Sequence, residues 1–142
     1  MRVLAARNIQ VREEITVRGD APNRWIYRGE TCICNEADDY TRVVPFILGA
    51  GKLTGKSVAW IGGGFCIGPM AFAAAECKQA VYEAEASLRE FCPDGITFVA
   101  GDWRDALTGR YDVIVYDLGG EVPREALTKF LKPRGKLLPE AA

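Results

Sequence analysis

The sequence has no histidine and pairs its cysteines closely at only one place, Cys32 and Cys34. Structural zinc sites are built from cysteine and histidine at characteristic spacings, so no metal is predicted. No apolar run approaches the roughly 20 residues of a membrane-spanning helix. In residues 1–7 a charged residue follows the apolar residues too soon for a signal peptide. We therefore predict a cytoplasmic protein without a membrane partner.

An excess of either charge is also missing. Eighteen basic and nineteen acidic residues leave a formal net charge of −1, which gives no general argument for a nucleic-acid partner. Five cysteines, odd in number and irregularly spaced, make a disulfide framework unexpected. On a strand, Cys32 and Cys34 would share one face, where we expect them to be buried. The length of 142 residues suits one domain with its own core.

Residues 1–50 form a predicted β-hairpin or three-stranded unit followed by a first helix. Short alternating or apolar segments separated by turns are typical of half-buried strands. The helix is predicted over residues 40–48, capped by Asp38 or Asp39 and ended by the glycines at 49 and 51. The strand segments are residues 9–12, 15–18, 25–27 and 31–34.

Residues 51–142 alternate apolar strands with helices, which predicts an α/β domain with a Rossmann-like parallel sheet. The predicted strands are residues 57–61, 80–82, 96–100, 112–116 and 136–138. The predicted helices are residues 69–79, 86–91, 104–107 and 123–131.

The strongest local feature is a run of three glycines, Gly62, Gly63 and Gly64, directly after the first of these strands. Glycine allows the positive φ of a tight strand-to-helix turn and leaves no Cβ between the backbone and a ligand. Pro69 suits the first turn of the following helix. We expect a ligand to bind at this turn.

Acidic residues follow the next three strands, at the sheet edge where ligands of parallel α/β proteins bind. Glu83 lies 21 residues after Gly62, close to the roughly 20 expected for an acid that holds ribose hydroxyls. Glu85 is the alternative if the strand ends later. Asp102, with Trp103 as a stacking neighbour, and Asp117 follow the third and fourth strands.

These acids argue against a phosphate ligand, because carboxylates repel phosphates and no G-x-x-x-x-G-K-[ST] motif is present. A dinucleotide fingerprint is incomplete as well, since Ile67 stands where the last glycine of G-x-G-x-x-G belongs. A cationic nucleoside fits the series better, because carboxylates accept hydrogen bonds from ribose and adenine groups.

With these residues in view, residues 56–138 resemble the core of a class I S-adenosylmethionine-dependent methyltransferase. The resemblance assigns the glycines and Glu83 to the cofactor, Asp102 to adenine, and Asp117 to the end of the fourth strand. Within that superfamily, the chain is most similar to the spermidine synthase-like aminopropyltransferases. The matching segments are residues 61–64, 83–85 and 111–117, with residues 25–40 resembling that family's hairpin and acidic helix entry.

Two positions depart from the aminopropyltransferase pattern. Phe65 stands where that family has an aspartate that holds the ligand's amine, although its position still makes it a candidate cofactor contact. Residues 118–121 replace the polar, proline-containing segment that helps to enclose the polyamine. The sequence also ends after the fifth strand, so we expect a truncated sheet whose edge needs a partner subunit or other cover.

Three functional hypotheses follow. The first is an S-adenosylmethionine-dependent methyltransferase acting on a small amine-containing or similar acceptor, with Asp117 as the catalytic residue that orients or deprotonates the amine. The second is an aminopropyltransferase that uses decarboxylated S-adenosylmethionine. The third is a non-catalytic nucleoside-binding module. Asp38, Asp39 and Tyr40 could touch an acceptor, but a solvated helix start is the preferred interpretation.

Overall fold

A computed structural model of the protein describes residues 14–141, so the strand predicted at residues 9–12 lies outside the described residues. The strands are β1 (Ile15–Arg18), β2 (Trp25–Arg28), β3 (Thr31–Asn35), β4 (Ser57–Ile61), β5 (Lys78–Glu83), β6 (Thr97–Ala100), β7 (Tyr111–Tyr116) and β8 (Leu131–Leu138). The helices are α1 (Glu36–Ala50), α2 (Ile67–Ala73), α3 (Trp103–Ala106) and α4 (Arg124–Thr128), with a 3₁₀ helix at Ala86–Phe91. None of the helices described is long and apolar enough to cross a membrane.

The larger sheet has five parallel strands in the order β6-β5-β4-β7-β8, which confirms the predicted α/β fold. Alternate residues of each strand face opposite sides of the sheet. In β4, Val58 and Trp60 pack with α1 and α2, whereas Ala59 and Ile61 pack with α3 and α4. The sheet therefore lies between two helical layers, and its strands are buried on both faces.

The small sheet is antiparallel in the order β1-β2-β3, as predicted for the N-terminal unit. The predicted burial of both cysteines in β3 is wrong, because Cys32 is exposed and Cys34 is only half-buried. Cys32 pairs with Tyr27 and Cys34 with Ile26, so the register shifts at a bulge. Since neighbouring residues of β2 face opposite sides, the bulge turns the two cysteines away from each other.

Helix α1 begins at Glu36, four residues earlier than predicted, and neither Asp38 nor Asp39 is its cap. The cap is Asn35, whose side-chain oxygen accepts from the Asp38 amide at 3.1 Å. The Asn35 amide group donates in turn to Asn23 Oδ1 at 2.9 Å. This cap therefore depends on Asn23, which lies in the turn between β1 and β2. The sequence of the helix alone does not indicate this contact. Side chains from α1 also pack in the core of the larger sheet. The predicted division of the chain into residues 1–50 and 51–142 stays a prediction.

Helix α2 ends at Ala73 rather than at residue 79, which corrects the predicted alanine-rich helix. The chain reverses at Glu76, which has a φ of +58°, and β5 starts at Lys78. Gln79 is a buried strand residue that accepts from Trp60 Nε1 at 2.7 Å and donates to the Pro69 carbonyl at 2.9 Å. Packing against Trp60 therefore overrides the helix propensity of the alanines.

The C-terminal elements are also divided differently from the prediction. Helix α4 ends at Thr128 instead of residue 131, and β8 spans eight residues instead of the three predicted at 136–138. Pro133 and Gly135, residue types that are uncommon inside strands, lie within β8. Strand β8 lies at the edge of the described sheet, and its pairing with β7 is irregular near Tyr111. Proline is tolerated in edge strands and at such irregularities.

Candidate functional site

A cavity of about 410 Å³ opens at the carboxyl ends of β4, β5, β6 and β7. Its volume lies within the range of about 300–1,000 Å³ that is typical of small-molecule sites. The structure brings together nearly all of the residues singled out in the sequence. Those that line the cavity are Gly62, Gly63, Gly64, Glu83, Glu85, Asp102, Trp103 and Asp117.

The glycine turn forms the floor of the cavity. Gly62 has a φ of +94° and Gly64 a φ of +52°, which favour glycine. A Cβ on Gly63 would lie 2.7 Å from Val81 Cγ1. A Cβ on Gly64 would lie 3.8 Å from Asp39 Oδ2, so the turn passes close to α1 as well as to β5. The glycines are therefore required by backbone conformation and by packing.

Glu83 connects the glycine turn to the end of β5. Its Oε1 accepts from the amides of Gly63 and Gly64, each at 3.1 Å, and its Oε2 accepts from the Glu85 amide at 2.9 Å. The residue is only 8% exposed but still lines the cavity. Oε1 already accepts two hydrogen bonds, whereas Oε2 accepts one and can accept a further one from a ligand. Glu83 can thus hold the turn and contact a ligand at the same time.

The other three strand-end acids are each paired with an arginine that also lines the cavity. Sequence reasoning did not identify these arginines, because two of them precede the parallel sheet and only acids were considered at the strand ends. The ion pairs are Arg28 with Glu85, Arg104 with Asp102, and Arg42 with Asp117.

We call the part of the cavity formed by Glu83, Glu85, Asp102 and Trp103 the β5–β6 side. Asp102 is exposed and caps α3, its Oδ1 accepting from the Arg104 amide at 2.9 Å. Trp103 is 7% exposed and packs edge-on against Tyr116, with ring centroids 6.5 Å apart. Its Nε1 is buried and has no hydrogen-bond partner among the described residues. This donor is accordingly free in the structure as described.

The part formed by Asp39, Arg42 and Asp117 is the β7 side. Arg42 donates from Nη1 to Asp39 Oδ1 at 3.3 Å and from Nη2 to the Asp117 carboxylate. The Cys34 thiol donates to Asp39 Oδ2 at 2.9 Å. Burial raises the pKa of Asp39, while the Cys34 hydrogen bond and Arg42 oppose that rise. Asp39 is therefore a cavity residue rather than part of a solvated helix start, whereas Tyr40 is exposed.

Phe65 lies outside the cavity lining. Its side chain is 1% exposed and packs with Ile26 of the small sheet, Ile67 of α2 and Leu88 of the 3₁₀ helix. It also meets Phe91 edge-on, with centroids 5.0 Å apart. The side chain joins the small sheet to α2 and to the 3₁₀ helix. A cofactor contact from Phe65 stays a prediction.

Cys66, the next residue, is fully buried at the start of α2. Burial raises the pKa of its thiol, so the thiol is neutral at physiological pH. No cluster of three or more histidine, cysteine, aspartate or glutamate side chains suited to a metal occurs within residues 14–141.

The comparisons with known proteins agree on the fold. No protein-family model matches the chain, and no curated protein matches it significantly. Protein-L-isoaspartate O-methyltransferase superimposes with a TM-score of 0.61 at 18% identity, covering 88% of this chain and 41% of that one. Spermidine synthase from Thermotoga maritima superimposes with a TM-score of 0.62 at 14% identity, covering 87% of this chain and 52% of that one. An S-adenosylmethionine-dependent methyltransferase from Thiobacillus denitrificans gives 0.55 at 17% identity, with coverages of 66% and 45%.

The chain therefore has the Rossmann-like fold of class I S-adenosylmethionine-dependent methyltransferases and of spermidine synthase, as its sequence predicted. It spans between two fifths and about half of the length of these solved structures. At such low identity the likeness establishes the fold, and the activity has to be argued from the cavity.

Proposed function

We propose that the chain binds S-adenosylmethionine and acts as a methyltransferase on a small amine-containing or similar acceptor. The observation that carries the proposal is the single cavity in which the glycine turn meets Glu83, Asp102 and Asp117. A small-molecule acceptor, a cytoplasmic location and self-association remain predictions.

The cavity suits a cationic nucleoside in shape and charge. Five carboxylates and three arginines line it, so its formal charge is negative, as a sulfonium ligand requires. On the β5–β6 side, Glu83 is placed for ribose hydroxyls and Asp102 for an adenine amino group.

In a methyl transfer, bound S-adenosylmethionine would supply an electrophilic carbon on its sulfonium, which leaves the protein mainly the task of alignment. We assign to Asp117 the task of orienting or deprotonating an acceptor amine. Its Oδ1 accepts from Arg42, so Oδ2 is the oxygen left to meet the amine. Glu83 keeps the glycine turn in position through the amides of Gly63 and Gly64.

Particular observations favour each alternative. Asp39 lies next to the glycine turn and could replace the acid missing at Phe65, which favours an aminopropyltransferase using decarboxylated S-adenosylmethionine. The ion pair between Arg42 and Asp117 occupies part of the carboxylate that an acceptor would need, which favours a non-catalytic nucleoside-binding module.

Titration calorimetry with S-adenosylmethionine, its decarboxylated form and methylthioadenosine tests the proposal. We expect all three to bind, because they share the adenosine group, with S-adenosylmethionine binding most tightly. Failure of all three to bind would contradict the transferase and the nucleoside-binding hypotheses together. Tighter binding of the decarboxylated form would place the aminopropyltransferase first.

The ribose assignment is tested by Glu83→Ala, with Glu125→Ala, an exposed glutamate on α4, as a matched control. Loss of hydrogen bonds to a charged group should weaken methylthioadenosine binding by about 1–3 kcal/mol. Circular dichroism should show that both variants remain folded. An unchanged affinity in Glu83→Ala would refute the ribose assignment. An equal loss of affinity in Glu125→Ala would show that the effect is not specific to Glu83.

A further inference from the structure

The β7 side presents opposite charges from one turn of helix α1. Asp39 and Arg42 are three residues apart, and both line the cavity. We infer that they form a subsite for a zwitterionic α-amino-acid group, in which Arg42 binds the carboxylate and Asp39 the ammonium. The inference depends on the proposed function, and it makes Arg42 the residue that selects S-adenosylmethionine over its decarboxylated form.

The position of Asp39 supports its role toward the ammonium group. Its side chain is 11% exposed, and its Oδ2 lies 3.8 Å from where a Cβ on Gly64 would stand. The carboxylate is therefore held against the glycine turn from the side of α1. Phe65, which follows the turn, is buried among the small sheet, α2 and the 3₁₀ helix and provides no charge. Asp39 thus approaches the turn from α1, whereas Glu83 holds it from β5.

The position of Arg42 supports its role toward a carboxylate. The Arg42 side chain is 47% exposed, and its guanidinium bridges Asp39 and Asp117 through Nη1 and Nη2. A guanidinium carries five N–H donors in a planar fork, more than these two acids require. Its remaining donors and open face leave it able to receive a ligand carboxylate from the cavity.

The other two arginines of the cavity lie on the opposite side. Arg28 donates to Glu85 from Nε at 3.1 Å, and Arg104 lies 3.4 Å from Asp102. Both pairs are on the β5–β6 side, where the nucleoside is proposed to bind. A ligand with adenosine on that side would extend its remaining chain across the glycine turn toward Asp117. Arg42 is the cation that this chain would meet.

The pairing of charges explains the expected selectivity. An α-amino-acid group carries its ammonium and carboxylate on one carbon, and Asp39 and Arg42 offer the complementary pair with Oδ1 and Nη1 3.3 Å apart. A decarboxylated ligand keeps only the ammonium, so it meets Asp39 but leaves Arg42 without a ligand group. Because Arg42 is half exposed and already paired, we expect a preference of about tenfold rather than an absolute one.

The test compares three ligands in wild type, Arg42→Gln, Asp39→Asn and a control, Arg89→Gln. Arg89 is exposed and stacks on Phe98 outside the cavity. The probes are S-adenosylmethionine, decarboxylated S-adenosylmethionine and methylthioadenosine, which has no amino-acid group. Calorimetry gives each Kd, and a thermal melt of each variant checks that it is folded.

We expect wild type and Arg89→Gln to prefer S-adenosylmethionine over the decarboxylated form by about tenfold. Arg42→Gln should bring this ratio close to one while the Kd for methylthioadenosine stays the same. Asp39→Asn should weaken both ammonium-bearing ligands and leave methylthioadenosine unaffected. Arg42→Lys, which keeps the charge without the fork, should retain part of the preference.

Equal binding of the two sulfonium ligands by wild type, with methylthioadenosine bound, overturns this subsite but leaves the proposed function standing. Equal weakening of all three ligands by Arg42→Gln also overturns it, because Arg42 would then act only on the structure of the cavity. Failure of every ligand to bind wild type overturns the proposed function itself.

Discussion

The two sides of the cavity are built in different ways. On the β5–β6 side, Glu83 ends a buried strand and Asp102 begins the segment that follows the next one. On the β7 side, Asp117 also follows a strand, but Asp39 and Arg42 come from α1, which precedes the parallel sheet in the chain. One side depends mainly on the sheet, and the other depends on where a helix packs.

Backbone hydrogen bonds hold the strand-end positions in place. The Gly62 amide donates to the Tyr82 carbonyl at 2.9 Å, and the Gly101 amide donates to the Glu83 carbonyl at 3.0 Å. These bonds continue the parallel ladder to the point where each acid stands. The β5–β6 side should therefore keep its geometry when side-chain contacts elsewhere are changed.

The β7 side depends on contacts between side chains that are distant in sequence. Glu36, at the start of α1, accepts from Arg24 Nε at 2.9 Å and from Nη2 at 2.7 Å. Arg24 also lies over the rings of Phe65 and Phe91. This ion pair joins the small sheet, α1 and the segment after the glycine turn. A change here should reach Asp39 and Arg42 before it reaches Glu83.

The largest effect is expected from Glu36→Ala, which leaves Arg24 without its partner at a largely buried position. Breaking such a pair should lower the free energy of unfolding by about 2–4 kcal/mol, since Arg24 keeps some access to water. Urea unfolding followed by tryptophan fluorescence measures this loss. Affinity for S-adenosylmethionine should fall more than affinity for methylthioadenosine, because α1 carries the β7 side.

Glu30→Ala is the matched control, an exposed glutamate in the turn between β2 and β3. Its effect on the free energy of unfolding should stay within about 0.5 kcal/mol. If Glu36→Ala weakens both ligands to the same extent, the two sides are not independent and the comparison fails.

An intermediate effect is expected from pH. The hydrogen bonds from Arg24 lower the pKa of Glu36 when the protein is folded, and burial only partly opposes this. A group with a lowered pKa stabilises the fold above its unfolded-state pKa, and this stabilisation is lost as pH falls through the folded-state pKa. The contribution of Asp39 to the pH dependence of stability has the opposite sign. Burial raises the pKa of Asp39, and protonation of its carboxylate at low pH removes the cost of burying the charge.

Urea midpoints measured between about pH 7 and about pH 3 should therefore fall less steeply in Glu36→Gln than in wild type. In Asp39→Asn they should fall more steeply, since the compensating carboxyl is gone. Parallel curves for wild type and Glu36→Gln would show that this pair does not contribute to acid sensitivity.

The smallest effect is expected from Arg28→Gln on the β5–β6 side. The Arg28 side chain is largely exposed, and exposed ion pairs contribute up to about 1 kcal/mol. Calorimetry should give nearly unchanged affinities, with S-adenosylmethionine and methylthioadenosine shifting together. A selective loss of S-adenosylmethionine binding would place its amino-acid group at Arg28 and reverse the assignment of the two sides.

Prediction from the sequence succeeded where local pattern and local structure coincide. The apolar strands around Trp60 and Ile114 were recognised because buried parallel strands are continuously hydrophobic. It failed at the end of α2, because alanines carry no stop signal and the contact between Gln79 and Trp60 joins residues 19 positions apart. It failed at Cys32 because a bulge changes the face of a strand without any marker residue.

The sequence by itself determined the alternating α/β fold, the glycine turn, and the acids that line the cavity beside it. Each of these depends on the period of a strand or on the residue that directly follows one. Only the tertiary structure decided which arginine meets which acid, why Phe65 is apolar, and that Asp39 and Arg42 face the same cavity as Glu83. Such contacts join segments far apart in the chain, and their partners are set by how α1 and the small sheet pack on the parallel sheet.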